Sequence, residues 1–128
     1  MKTKYVVALS AAAGIAIGAA AVQTLHAQAK APGYIIAEID ATNPEAYTKE
    51  FLPLANKALS AGGVKFLVRG GKTMTIDGAP PPPRVIIGQY ESLEKAYATY
   101  TSPEYKEARK TGDKYAKFRI FAVEGVAQ

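Results

Sequence analysis

The sequence predicts an α+β fold of ferredoxin-like topology, βαββαβ, in which one antiparallel sheet carries its helices on a single face. Two observations predict this fold. Segments rich in apolar and β-branched residues alternate with segments whose apolar residues recur at helical spacing. The order of these segments along the chain is that of the split βαβ motif. No internal repeat and no second domain is visible. The predicted domain over 30–128 is long enough for one hydrophobic core.

The first half of the motif is a strand followed by a helix. The apolar, β-rich segment 33–40 predicts the strand. Asn43 is a good helix cap and Pro44 suits the first helical position, so a helix is expected to begin there. Pro53 lies inside this helix and is expected to kink it. The glycine pair 62–63 is expected to end it.

The second half of the motif is predicted to contain two capped helices and the remaining strands. Ser92 caps one helix, and Ser102 and Pro103 start a second helix directly after it. The connector 79–83 contains four prolines and is expected to be extended, because proline cannot donate to a strand ladder. Strands are predicted at 64–69, at 84–90 and at 117–125, with a further short strand at 72–78 that ends in an Asp-Gly turn.

The N-terminal segment 1–29 has the layout of a secretory signal peptide. Two lysines precede an uncharged run, 5–22, and small residues follow at Ala27 and Ala29. Cleavage is predicted after Ala29, with cleavage after Ala27 as the alternative; a retained membrane anchor is the other interpretation. The expected mature protein is a domain over 30–128, located in the periplasm or secreted.

The composition excludes several chemistries. The chain has no cysteine, which excludes disulfides and a thiol nucleophile, and its only histidine, His26, lies in the predicted signal peptide. A cleaved protein would therefore lack Ser-His-Asp catalysis, His/Cys zinc sites and the usual haem ligand, and no metal or cofactor is expected. The mature chain would carry 14 basic and 11 acidic residues, a net charge of +3. The basic residues are scattered among acids, so neither nucleic acid nor, after cleavage, a membrane is an expected partner.

Strand alternation divides the predicted sheet into two faces. The face expected to lie under the helices is wholly apolar and comprises Ile35, Ala37, Ile39, Val64, Phe66, Val68, Phe118, Ile120 and Ala122. The opposite face mixes apolar and charged residues and comprises Tyr34, Ile36, Glu38, Asp40, Lys65, Leu67, Arg69, Arg119, Phe121 and Val123. So much apolar surface is rarely left to solvent, which predicts a homodimer whose two sheets form a closed barrel. A monomer with an apolar surface is the alternative.

Five segments in this order resemble the domain-of-unknown-function 1330 family. They are GYIIAEIDATNPEAY, GGVKFLVRGG, RVIIGQY, YTSPEYKEARK and FAVEG, and together they span residues 33–125. The resemblance implies a dimeric α+β barrel of ferredoxin-like topology without a settled activity. The wider superfamily includes cofactor-independent monooxygenases, lactone isomerases, dehalogenases and haem-handling proteins. Family members often carry an arginine at the position of Gly112, so a departure from the family pattern lies there. The positions that match the family motifs are Asp40, Pro44, Tyr47, Arg69, Gly70, Gly71, Arg84, Tyr100, Ser102, Pro103, Tyr105 and Arg109.

Polar candidates for a site are few. Tyr105 and Arg109 are four residues apart and share a helix face, and Tyr100 can turn towards them. With Arg69, they are predicted to bind a ligand through phenol and guanidinium groups. Asp40 is the candidate catalytic residue, as a general base. The structural alternatives are a core tyrosine, an arginine paired with an acid, and an aspartate that caps a turn.

Three functions remain open on this evidence. The favoured one is binding of a small carboxylate-bearing or aromatic molecule in a cavity of the dimeric barrel. The alternatives are a cofactor-independent monooxygenase or isomerase that uses the same cavity, and a structural or interaction dimer without a ligand. The lack of histidine in the mature chain weighs against an enzyme, because it removes the commonest acid/base group.

Overall fold

Four antiparallel strands form a single sheet in the computed structural model, which describes residues 30–127. The order across the sheet is β2-β3-β1-β4, in which β1 pairs with both β3 and β4. This is the ferredoxin-like arrangement, and the predicted fold class is confirmed. The signal peptide predicted at 1–29 lies outside the described residues. The strands are β1 (Gly33–Ala41), β2 (Lys65–Arg69), β3 (Arg84–Tyr90) and β4 (Ala116–Glu124).

The first helix, α1, is continuous over 44–60 but changes its winding. It consists of Pro44–Ala46, a π-helical turn over Tyr47–Phe51, and Leu52–Ser60. The side chain of Asn43 caps it by accepting a hydrogen bond from the backbone N–H of Ala46 at 3.2 Å. The π-helical turn ends just before Pro53. The proline nitrogen carries no hydrogen to donate, and its ring would crowd the carbonyl of the preceding turn in a regular α-helix. The proline predicted to kink the helix is thus accompanied by a local change of helix type.

The other two helices are α2 (Leu93–Tyr100) and α3 (Pro103–Gly112). Ser92 and Ser102 cap them as predicted, each accepting a hydrogen bond from the backbone N–H three residues further on, at 3.1 and 3.2 Å. Among the described residues, no helix is both long and apolar enough to cross a membrane.

The core lies between one face of the sheet and the helices. Ile35, Ala37 and Ile39 of β1 are buried there, together with Ala96 of α2 and Ala108 of α3. Phe118, Ile120 and Ala122 of β4 pack partly buried against the same core. The predicted helix-facing side of β1 and β4 is therefore correct.

A β-bulge in β2 reverses part of the predicted alternation. Phe66 pairs with Gly88, but the next pairs are Val68 with Ile87 and Arg69 with Ile86, so Leu67 is an extra residue in the ladder. An inserted residue exchanges the faces of everything that follows it in the strand. Val68 consequently lies on the open face and Arg69 on the helix side, and the sequence-based placement of both was wrong.

The strand predicted at 72–78 does not form. This segment has no regular secondary structure, and residues 71–80 are all exposed. Pairing stops soon after Gly70, whose N–H donates to the carbonyl of Val85 at 2.8 Å. The prolines of 79–83 supply no donors with which β3 could extend the ladder backwards.

The open face of the sheet carries an apolar patch. Ile36 lies between Ile87 and Phe121 in the strand register, and Phe121 is 42% exposed. Beside this patch, the Arg119 guanidinium donates a hydrogen bond to the Glu38 carboxylate.

Candidate ligand-binding cavity between sheet and helices

A cavity of about 250 Å³ lies between the sheet and the helices, and we call it the inner cavity. Its sheet side is formed by Ala37, Ile39, Phe66, Ile86 and Ile120. Its helix side includes Tyr47, Phe51, Ala55, Leu59, Tyr100 and Tyr105. The sequence analysis expected a cavity inside the barrel formed by two sheets. The inner cavity instead lies on the other face of the sheet, within a single protomer.

Arg84 and Tyr47 bring polar groups into this largely apolar space. Arg84 begins β3, and its guanidinium carbon lies 5.9 Å from the centre of the Tyr47 ring. The Arg84 Nε and the Tyr47 hydroxyl are both buried without a hydrogen-bond partner among the described residues. Burial raises the pKa of Tyr47, and the positive charge of Arg84 partly offsets this rise. The pair therefore offers a cation and a neutral phenol, each with an unused donor, and a buried donor without a partner is costly.

The sequence analysis did not select Arg84 or Tyr47 as ligand-binding residues, although both match the family motifs. A signal for Arg84 was present in the alternation of β3. Residues 84, 86, 88 and 90 share one face, and that face pairs with the buried residues of β1. An arginine on an apolar, helix-covered face requires an explanation, because arginine is rarely buried unless it is paired.

Three further tyrosines form a cluster at one side of the inner cavity. The ring centres of Tyr90 and Tyr100 are 6.3 Å apart, and those of Tyr100 and Tyr105 are 4.7 Å apart. Burial raises the pKa of Tyr90 and Tyr100, and it raises the pKa of Tyr105 to about 12 against the opposing effect of Arg109. All three phenols are neutral near pH 7, as tyrosine ordinarily is, and burial keeps them neutral to a higher pH. They can donate hydrogen bonds, but they cannot act as bases there.

Arg69 lies at the exposed side of the inner cavity. It faces the helices because of the bulge in β2, and its guanidinium carbon stands 4.2 Å from the centre of the Phe66 ring. Its Nη2 donates a long hydrogen bond of 3.4 Å to the Asn56 side chain. Arg69 thus places a second positive charge beside the cavity that Arg84 enters.

Arg109 and Asp40 do not line the inner cavity. Arg109 pairs with Asp113 through hydrogen bonds of 2.9 and 3.1 Å, and its guanidinium carbon lies 3.8 Å above the Phe118 ring. Asp40 is exposed on the open face, directly across the strand pair from Lys117. The predicted roles of both residues stay predictions.

A second cavity of about 300 Å³ runs beside β4, and we call it the β4 groove. Arg109 borders this groove, together with Tyr97 and Thr101. Tyr100, Tyr105 and Ile120 line both the β4 groove and the inner cavity.

The inner cavity has few groups that could exchange a proton. No aspartate, glutamate, lysine or histidine of the described residues lines it. Residues 30–127 also contain no cluster of three or more potential His, Cys, Asp or Glu metal ligands. The polar groups at the cavity are those of arginine, tyrosine and the Asn56 amide, which suit recognition of an acceptor more than proton abstraction.

A family model described as "Domain of unknown function (DUF1330)" matches residues 32–126. The chain belongs to the DUF1330 family. Its sequence resemblance to that family is thereby confirmed, and Arg69, Arg84, Tyr100 and Tyr105 all lie within the matched region. No curated protein matches the chain significantly.

Solved structures resemble this DUF1330 protein in fold. A protein of unknown function from Rhodopseudomonas palustris is 18% identical with a TM-score of 0.58; the match covers 77% of this chain and 85% of that one. A Caulobacter crescentus protein, named as a candidate antibiotic biosynthesis monooxygenase, is 16% identical with a TM-score of 0.52 over 77% of this chain and 93% of that one. At such identities, the similarity concerns the fold and not the activity.

Proposed function

We propose that this DUF1330 protein binds a small carboxylate with an aromatic or otherwise apolar body in the inner cavity. The observation that carries the proposal is the half-buried Arg84, whose Nε–H is buried without a partner at an apolar cavity that the buried, unpartnered hydroxyl of Tyr47 also lines. A buried donor without a partner is costly, and a ligand carboxylate would accept a hydrogen bond from it.

The rest of the cavity suits the apolar body of such a ligand. Planar guanidinium groups bind carboxylates through two parallel hydrogen bonds, which Lys could not reproduce. Phe51 and Phe66 offer aromatic surfaces on opposite sides of the space, and Ile39 and Ile86 complete an apolar lining. Arg69 lies at the exposed side, where its charge would attract an anion before it enters.

Binding is favoured over catalysis by the residues that line the inner cavity. The fold similarity to the candidate monooxygenase makes a cofactor-independent monooxygenase or isomerase the second function to consider. Such a reaction needs a group that accepts a proton, but the tyrosines have raised pKa values and arginine stays protonated. A purely structural role is disfavoured, because well-packed cores rarely contain voids much larger than a water molecule.

We also propose that the binding protein is an exported homodimer. The apolar patch around Ile36, Ile87 and Phe121 supports association of two open faces, with Val123 beside it at 45% exposed. The signal-peptide pattern of 1–29 supports a periplasmic or secreted location. In this arrangement each protomer would keep its own inner cavity, because the cavity and the dimer contact lie on opposite faces of the sheet.

Calorimetric titration with benzoate tests the ligand-binding proposal. The protein is expected to bind benzoate and to bind the uncharged analogue benzyl alcohol at least tenfold more weakly. Arg84→Met should weaken benzoate binding by about tenfold to a hundredfold, since a hydrogen-bonded charge contributes about 1.5–3 kcal/mol. Arg119→Met is the matched control, because Arg119 is exposed on the other face of the sheet.

Two results would contradict the proposal. The first is no benzoate binding by the unmodified protein at millimolar concentration. The second is equal benzoate binding by Arg84→Met and Arg119→Met when both variants melt cooperatively. Arg84→Lys serves as a further variant in case the methionine substitution unfolds the domain, and it should retain only part of the affinity because lysine lacks the planar donor pair.

A further inference from the structure

The inner cavity and the β4 groove are separated by side chains from two helix ends and one strand. Tyr100 is the last residue of α2, Tyr105 lies in the first turn of α3, and Ile120 lies on β4. All three line both spaces, and the two tyrosine ring centres are only 4.7 Å apart. A change of side-chain rotamer at Tyr100 or Tyr105 would therefore connect the two spaces without a change of fold.

The β4 groove offers an apolar subsite on its sheet side, while Arg109 and Thr101 border it on the helix side. Ile35, Phe121 and Ala122 line it from the sheet, and Tyr97 lines it from α2 while remaining 65% exposed. Tyrosine presents a large apolar ring together with a polar hydroxyl, a combination enriched where proteins bind other molecules. The groove reaches the open face of the sheet at Phe121, which lies on that face.

We propose that the β4 groove is the second half of the binding site, and that the protein takes carboxylates with a long, slender apolar tail. The inference rests on the proposed function: the carboxylate binds at Arg84, the body fills the inner cavity, and the tail passes between Tyr100 and Tyr105 into the groove. Tyr97 then covers the end of the tail. The inner cavity by itself would hold only a compact ligand, because its volume is about 250 Å³.

Paired titrations with benzoate and 4-butylbenzoate test this extension. The butyl chain should tighten binding by at least tenfold, because each fully buried methylene contributes about a fourfold gain. Tyr97→Ala should weaken 4-butylbenzoate about fivefold and leave benzoate unchanged, because Tyr97 lines the groove and not the inner cavity. Tyr97→Phe keeps the ring and should bind both ligands as the unmodified protein does. Leu54→Ala controls for non-specific apolar binding, because Leu54 is 45% exposed on the outer surface of the helices.

A direct readout is available by NMR. The terminal methyl group of bound 4-butylbenzoate should show nuclear Overhauser contacts to the Tyr97 ring, which a tail folded back into the inner cavity would not show.

The outcomes separate this inference from the proposed function. Equal affinities for the two ligands, or equal losses for both in Tyr97→Ala, would overturn the groove proposal, while benzoate binding that depends on Arg84 would still support the proposed function. If the unmodified protein binds neither ligand, both proposals fall together.

Discussion

Gly112 ends α3 against the rings of Phe51 and Phe118, and this close packing allows a quantitative prediction. A methyl group added there would lie 2.7 Å from Cδ1 and 2.8 Å from Cε1 of Phe51, and 3.1 Å from Cζ of Phe118. Carbon atoms in contact normally stand about 3.5–4.0 Å apart. Phe51 is only 2% exposed, and its ring packs against Tyr47 and Phe118 with ring centres 5.3 and 5.4 Å away. Gly112→Ala therefore requires a buried ring to move.

Two opposing effects set the size of the change. Overpacking a filled core costs about 1–3 kcal/mol, whereas alanine favours a helix over glycine by up to about 1 kcal/mol. The clash involves two atoms of a rigid ring, so we expect it to exceed the helical gain and to lower the free energy of unfolding by about 1–2 kcal/mol. For a domain of this size, that corresponds to a fall in Tm of roughly 4–15 °C.

The ligand-binding site should respond to the same substitution. Phe51 lines the inner cavity, so its ring has space on that side into which it can move. Gly112→Ala should therefore weaken benzoate binding as well as lower the Tm.

Thermal unfolding followed by circular dichroism measures the effect on stability. Gly71→Ala is the matched control, because a methyl group at Gly71 has no atom within 4 Å and the residue is exposed. The control should melt within a degree or two of the unmodified protein. A Gly112→Ala variant that melts at or above the temperature of the unmodified protein would refute the packing argument.

The remaining predictions concern the dimer, a helix cap and alkaline pH. Phe121→Asp should convert the proposed dimer to a monomer, as measured by size-exclusion chromatography with light scattering. Met74→Asp, which lies in the exposed loop, should leave the dimer intact. A Phe121→Asp variant that remains a dimer would contradict the proposed interface. Ser102→Ala should lower the free energy of unfolding, measured by urea titration, by about 1 kcal/mol. The substitution removes the hydrogen bond that Ser102 accepts from the N–H of Tyr105 and the one that it donates to the carbonyl of Thr99. Unchanged stability would show that the cap contributes nothing. Burial raises the pKa of Tyr105 to about 12, so the unfolded phenol ionises first and stability should fall as the pH rises from 10 to 12. Tyr105→Phe should reduce that fall by about 1 kcal/mol at pH 11, and an identical fall in both proteins would exclude this role for Tyr105.

The helix starts were predictable because their determinants are local. Asn43, Ser92 and Ser102 each accept a hydrogen bond from a backbone N–H three residues away, so the whole interaction lies within a few positions of the sequence. The stretch YTSPEYKEARK shows this well. Its serine and proline start α3 as a structural reading predicts, while the roles of its tyrosines depend on what lies across the core.

The register of β2 was not predictable from alternation. A single inserted residue, Leu67, exchanges the faces of Val68 and Arg69. Alternation assumes an uninterrupted ladder, and a bulge is decided by the pairing with β3. Arg69 was thus chosen as a ligand-binding candidate while it was assigned to the wrong face of the sheet.

The sequence by itself determined the fold class and the chemical inventory. The order of the elements follows from local apolar patterns, and the lack of cysteine and the single His26 limit the available catalytic groups whatever the fold. Only the tertiary structure decided that Arg84 and Tyr47 meet at one cavity, and that Arg109 lies beside a different one. The physical reason is that a residue's neighbours along the chain set its local conformation, whereas its partners across the layer between sheet and helices are set by the packing of the whole domain.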